Sequence, residues 1–297
     1  MSKTYLFRAR FEHNWAGDPY KDATPTYVAP QNLPIKLDIF KIAISPNEAS
    51  GFNNDVPYDI NYPLSPIYIE FTVDASDDRN PEAMADEQLE KLESLFRLFQ
   101  KGSVFVRRDS TWVIKDGKPD RDFFFNSPLI KPEPTPEYER GIYVINDNFS
   151  DIFNTFFHKY WKIINEKQQP IYNALIYFNS SYEKRTLAER LLELIIALEA
   201  LFGEEGDSLT YKIALRCACS LYPKGKERQK KYEYIKKTYK ERSKIVHGDR
   251  LGTEYTEEKI DMLEDIVRNA ILYFLKYATD GKPITEPKIL DDLLFLL

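Results

Sequence analysis

Hydrophobic and polar positions alternate along the first half of the chain and recur at helical spacing along the second. In LPIKLDIFKIAIS (33–45), Ile35, Leu37 and Ile39 alternate with polar neighbours before the run turns more fully apolar, which predicts a strand. SPIYIEFTV (65–73), GSVFVRRDSTWVI (102–114) and RDFFFNSPLI (121–130) predict three more, and Asp116-Gly117 is a hairpin-type turn signal between the last two. One helix interrupts them at about 86–100, with Leu89, Leu92, Leu95, Phe96 and Phe99 on one stripe. The run KPEPTPEYERG (131–141) reads as an exposed connector.

From 147 onward the spacing predicts a string of helices. The segment 147–166 carries Ile152, Phe153, Phe156, Phe157, Tyr160 and Ile163, and 171–179 continues after Pro170. In 184–202, Leu187, Leu191, Leu194, Ile195, Leu198 and Leu201 form one stripe, while Leu192, Ile196 and Ala200 make a second apolar side. Such a helix is expected to be buried twice, by its own core and by a second subunit. Ser208 is a candidate N-cap for a helix to Leu221, and 225–246 forms the next, closed by Gly248 in the left-handed C′ position. The last long helix, about 256–277, turns Ile260, Leu263, Val267, Ala270, Ile271 and Phe274 inward.

Proline and charge sharpen the boundary. Fourteen of the 18 prolines precede Asp147, and proline is excluded from helix interiors and central strands. Residues 1–146 hold 17 basic and 23 acidic side chains, whereas 147–297 hold 24 of each. The expected fold is α+β: a β-rich N-terminal domain (1–146) and an all-α helical bundle (147–297). The length of 297 residues, about twice a common domain, agrees with two units.

Composition then narrows the chemistry. No run of apolar residues is long enough for a membrane span, and the first residues lack the pattern of a secretory leader, so a cytoplasmic protein is expected. Cys217 and Cys219 stand two apart and point to different sides, which offers neither a disulfide framework nor a zinc site. No GxxxxGK or GxGxxG occurs, which argues against nucleotide hydrolysis on a glycine-rich loop. No metal-ligating cluster is legible, and neither a metal nor another cofactor is expected. His13 is the only histidine of the first half, whose expected role is binding or regulation.

The net charge of −6 hides one exception, residues 224–250, which hold 11 basic and four acidic side chains. Tyr232, Tyr234 and Tyr239 are interleaved, a composition that can hold a phosphate backbone and stack on unpaired bases, or simply form a solvated helix face. Tyr232, Ile235, Tyr239 and Val246 read as the inward stripe. At about 100° per residue, Arg242 lies some 60° to one side of Tyr239 and His247 about 80° to the other, with Ser243 between. An arginine beside a packing face needs an anionic partner or a cavity, and Glu199 and Asp249 are candidate partners. His247 falls in the last helical turn, where the negative end of the helix dipole favours imidazolium and an acid role near neutral pH. A plain helix cap and a structural ion pair would satisfy the same residues.

Arg242-Ser-Lys-Ile-Val-His247 matches the Arg-x4-6-His motif of the HEPN superfamily of helical RNA-cleaving domains. LIIALEALF (194–202), YKIALRCACSL (211–221) and YKERSKIVHG (239–248), in that order, resemble its Apea-like branch, found among anti-phage defence proteins, over about 171–277. The resemblance implies a metal-independent endoribonuclease whose site forms across a homodimer. It implies attack by an RNA 2′-hydroxyl on the adjacent phosphorus, with His247 moving protons and Arg242 stabilising the phosphorane oxygens. Ser243 would orient either partner or a phosphate, Glu199 would hold Arg242, and Lys236, Lys240 and Lys244 would contact RNA phosphates. A toxin of this kind is expected to be held in check until a phage-derived or small-molecule activator acts through the N-terminal half. The alternative is a non-catalytic HEPN dimerisation or RNA-binding scaffold.

Overall fold

The computed structural model describes residues 2–11, 26–28, 35–37, 40–44, 67–76, 80–116, 118–126, 143–145, 148–204 and 208–281. His13 and the connector 131–141 lie outside the described residues. The fold is α+β. Among the described residues the strands are β1 (Ser2–Phe11), β2 (Thr26–Val28), β3 (Ile35–Leu37), β4 (Phe40–Ile44), β5 (Ile67–Ser76), β6 (Val106–Lys115), β7 (Lys118–Asn126) and β8 (Tyr143–Ile145). The helices among the described residues are α1 (Pro81–Phe99), α2 (Phe149–Asn165), α3 (Ile171–Glu183), α4 (Leu187–Phe202), α5 (Leu209–Leu221), α6 (Lys226–Val246) and α7 (Glu257–Thr279).

The chain divides into two compact units, 1–135 with 139–159, and 136–138 with 160–297. The division thus falls inside α2, not at the 146/147 boundary that proline and charge mark. The reason is aromatic packing: Phe153 stacks on Phe96 with centroids 4.7 Å apart and planes 4° from parallel, and Phe157 meets Phe40 edge-on at 6.2 Å. The first turns of α2 therefore complete the core of the first unit, because such rings gain both buried area and favourable quadrupole geometry.

In that unit a six-stranded sheet runs β3-β4-β5-β1-β6-β7, every neighbouring pair antiparallel, and β2 pairs with β8 in parallel. The sequence 33–45 holds two strands rather than one, since Leu37 pairs with Phe40. The first strand, β1, lies centrally and turns Phe7 and Ala9 inward, with Phe7 5.6 Å from Phe71. Lys115 pairs with Lys118 around Asp116-Gly117, and Asp116 takes φ 51°, as a primed hairpin turn requires. Helix α1 starts five residues before its apolar stripe suggests: the Asn80 side chain accepts from the N–H groups of Glu82 and Ala83, with Pro81 at the first helical position. Buried Arg97 pairs with Glu93 at 2.6 Å, and Glu93 also accepts the Val106 N–H, which fastens α1 to the start of β6.

In the second unit α4 is the central helix, packed against α3, α5, α6 and α7. It opens at Thr186 in a capping box with Glu189, each satisfying the other's backbone N–H. Ser208 stands at the N-cap of α5 but in the left-handed region, φ 64°, and makes no side-chain cap bond, so its expected role as a capping oxygen is not fulfilled. A buried ionic knot joins α3, α4 and α7. The Tyr182 hydroxyl donates to Glu264 at 2.9 Å, Arg268 donates to Glu264 at 2.7 Å, and Arg190 bridges Glu264 and Asp261. Two arginines on one fully buried carboxylate stand only because the pairing offsets a desolvation cost of several kcal/mol per ion. Cys217 and Cys219 are both free and buried, and burial pushes the Cys217 thiol up. Among the described residues, no helix is long and apolar enough to cross a membrane.

Candidate functional site

Helix α6 carries most of the candidate residues, and its C-terminus has a complete Schellman ending. The Asp249 N–H reaches the Lys244 carbonyl at 3.1 Å and the Gly248 N–H reaches that of Ile245 at 2.9 Å, with Gly248 at φ 97°. His247 is the C-cap residue, its own N–H shared between the carbonyls of Ser243 and Lys244 at 3.2 and 3.0 Å. Because the backbone closes the helix, the imidazole is not consumed as a cap. It is exposed and, among the described residues, forms no hydrogen bond or ion pair.

On the other side of the helix, Arg242 faces α4. Its guanidinium lies 3.6 Å from the Glu199 carboxylate and 5.9 Å from the centroid of the Tyr239 ring. Burial first, then the neighbouring Glu199 carboxylate, push the Tyr239 phenol up. The three side chains form one cluster between α4 and α6, but it is incompletely satisfied. Arg242 Nε and Glu199 Oε1 are buried without a hydrogen-bond partner, and buried polar atoms in that condition are uncommon. The arginine itself is 29 % exposed, so the cluster opens to solvent on one side.

The remaining candidates separate by position. Ser243 is exposed beside His247. Lys240 is exposed, Lys236 holds its ammonium 5.3 Å from the Tyr232 ring, and Lys244 is ion-paired with Glu241 at 3.0 Å. Of the expected inward stripe, Ile235 and Tyr239 are buried and Tyr232 is half-buried, whereas Val246 is 56 % exposed. Thr238 and Glu241 are buried instead. The loop after the helix folds back over that side: the Gly252 N–H donates to Glu241 at 2.7 Å, and Tyr255 is buried. The last turn of α6 consequently stands clear, with Val246 and His247 outward.

Glu241 is the residue that periodicity passes over. An acid three residues before a lysine on a basic helix looks like a surface pair. Its other oxygen, however, anchors the loop that follows the candidate motif. Among the described residues, no group of three or more histidine, cysteine, aspartate or glutamate side chains is placed to hold a metal ion. Compared with known proteins, the chain matches no family model, and no curated protein and no solved structure aligns with it.

Proposed function

We propose that the helical unit is a HEPN-type endoribonuclease that cleaves RNA without a metal and works as a homodimer. The observation that carries this reading is the state of the two motif residues. Arg242 is held by Glu199 yet keeps 29 % of its side chain exposed, and His247 stands free at a helix end that the backbone has already capped. A guanidinium that reaches solvent suits the oxygens of a phosphorane, and an unengaged imidazole suits proton transfer. In the reaction, the 2′-hydroxyl loses its proton to a base and its oxygen attacks phosphorus. The bond to the 5′-oxygen breaks, and that oxygen takes a proton, leaving a 2′,3′-cyclic phosphate and a 5′-hydroxyl.

One copy of the site lacks the means to do both proton transfers. Arg242 and His247 lie about 140° apart around α6, so they do not converge within a chain. Two copies packed about a twofold axis would bring the arginine of one toward the histidine of the other and supply two imidazoles. The surface offers apolar contacts for such pairing: Leu192, Ile196 and Ala200 are only half-buried on α4, beside Glu199, and Val246 projects next to His247. In this reading the role in the cell is defence or toxin-like growth arrest, with the β-rich unit receiving the activating signal. The test is a pair of synthetic oligonucleotides of one sequence, one ribose throughout and one 2′-deoxy. Cleavage of the ribose strand alone, ending in cyclic phosphate, is expected; cleavage of both strands overturns the 2′-hydroxyl mechanism.

A further inference from the structure

A second feature of the helical unit lies away from the motif residues. Tyr211, on the first turn of α5, is 51 % exposed, unusual for a ring of that size on a packed helix. It meets the half-buried Tyr232 of α6 edge-on, with centroids 6.2 Å apart and planes at 80°. Lys236 sits over the Tyr232 ring at 5.3 Å. The pair thus braces the Tyr211 ring without covering it, and an ammonium stands over the bracing Tyr232. On the register of α6, Tyr232, Lys236, Lys240 and Ser243 fall within an arc of about 80°, and the acidic residues Glu227, Glu233 and Glu241 fall outside it. The same stripe runs on to His247.

We infer that Tyr211, braced by Tyr232, is a stacking platform for an unpaired base of single-stranded RNA, and that Lys236 and Lys240 track the backbone from it toward His247. The inference rests on the ribonuclease reading for its choice of ligand. An aromatic face with adjacent lysines is how proteins hold single strands without reading sequence, because every base has a π-face. Fifteen residues of α6 separate Tyr232 from His247, about 22 Å along the axis. That spans roughly six nucleotides at the 3.4 Å stacked spacing, and fewer in an extended strand. The platform therefore binds a base several nucleotides from the cut, so the preferred substrate is an unpaired stretch rather than a dinucleotide.

The test separates binding from cleavage by using a fluorescent dodecamer with 2′-O-methyl riboses, which lacks the attacking hydroxyl, and a matched strand carrying abasic sites. The full-length protein is expected to bind the base-bearing strand about tenfold more tightly than the abasic one. Tyr211→Ala removes that difference, and Tyr211→Phe, which keeps the ring, retains it. Equal binding of the two strands by the wild type, or unchanged binding by a folded Tyr211→Ala, overturns the platform. So does a change of dimer to monomer in Tyr211→Ala by sedimentation, which would assign the ring to a second copy. If ribose RNA is never cut while the base-dependent binding persists, the ribonuclease reading fails and the platform stands.

Discussion

Arg242 on α6 and Glu199 on α4 lie 3.6 Å apart, too far for a hydrogen bond and close enough for an ion pair. Burial and the same carboxylate raise the Tyr239 phenol, and the guanidinium lies 5.9 Å from that ring, so one acid holds the arginine beside the ring. Glu199→Ala is expected to lower the RNA cleavage rate on the order of 10²-fold by letting the guanidinium wander, while KM stays within about twofold. Glu199→Gln, which keeps a side-chain oxygen facing the guanidinium, recovers part of the rate. Equal falls for both variants would remove the positioning role.

The separation of Arg242 and His247 around α6 gives a second prediction. Arg242→Ala and His247→Ala each lower cleavage alone by about 10²-fold or more. Mixed and allowed to exchange subunits, they regain part of the cleavage, because the mixed dimer brings the intact arginine of one chain to the intact histidine of the other while lacking the second imidazole. A mixture no more active than its parents would place each site within one chain.

The ionic knot sets the stability of the helical unit. Glu264→Ala leaves Arg190 and Arg268 facing a void in the core and is expected to cost about 3–5 kcal/mol in urea unfolding, the range for one buried partner removed. Replacing Lys162, which is 85 % exposed and 3.9 Å from Glu166, with alanine changes stability by less than about 1 kcal/mol.

Stability against pH should be a plateau with two edges. The Thr186 hydroxyl and backbone hold the Glu189 carboxyl below its ordinary 4.5, and Lys212 and Arg216 do the same for Glu204. These groups stabilise the fold above pH 4.5 and lose that contribution as pH falls through their lowered values. At the other edge, burial raises the phenols of Tyr222, Tyr234, Tyr239, Tyr255 and Tyr273, with Tyr222 pushed up to about 12. Their neutral form fits the core, so that contribution is complete below the ordinary phenol value of 10 and drains away as pH rises through the raised ones. Thermal melts across this range should show a Tm that is flat from roughly pH 5 to pH 10 and falls on both sides.

The helices were legible because their apolar stripes are long and regular, and errors gathered at their ends. Asn80 and Thr186 move two helix starts, and both act through polar caps that lie outside the apolar stripe. The central strand β1 carries the alternation Tyr5, Phe7, Ala9, but arginines at 8 and 10 and a position at the chain start make it read as polar. The split of 33–45 into β3 and β4 has no glycine or proline to announce it. At the site, spacing alone placed Arg242 and His247 on opposite flanks of Tyr239, and Glu199 could be named as a partner. The outward turn of Val246 could not, because it depends on a loop held by Glu241 through a backbone N–H that no sequence pattern encodes.

The central claim is that His247 cuts RNA without a metal, and one assay addresses it. Labelled total RNA is incubated with the full-length wild type and with His247→Ala, both in EDTA. The account predicts fragments ending in 2′,3′-cyclic phosphate from the wild type and a rate lower by 10²–10⁴-fold in the variant. Cleavage that disappears with EDTA, or that survives in His247→Ala at the wild-type rate, contradicts it.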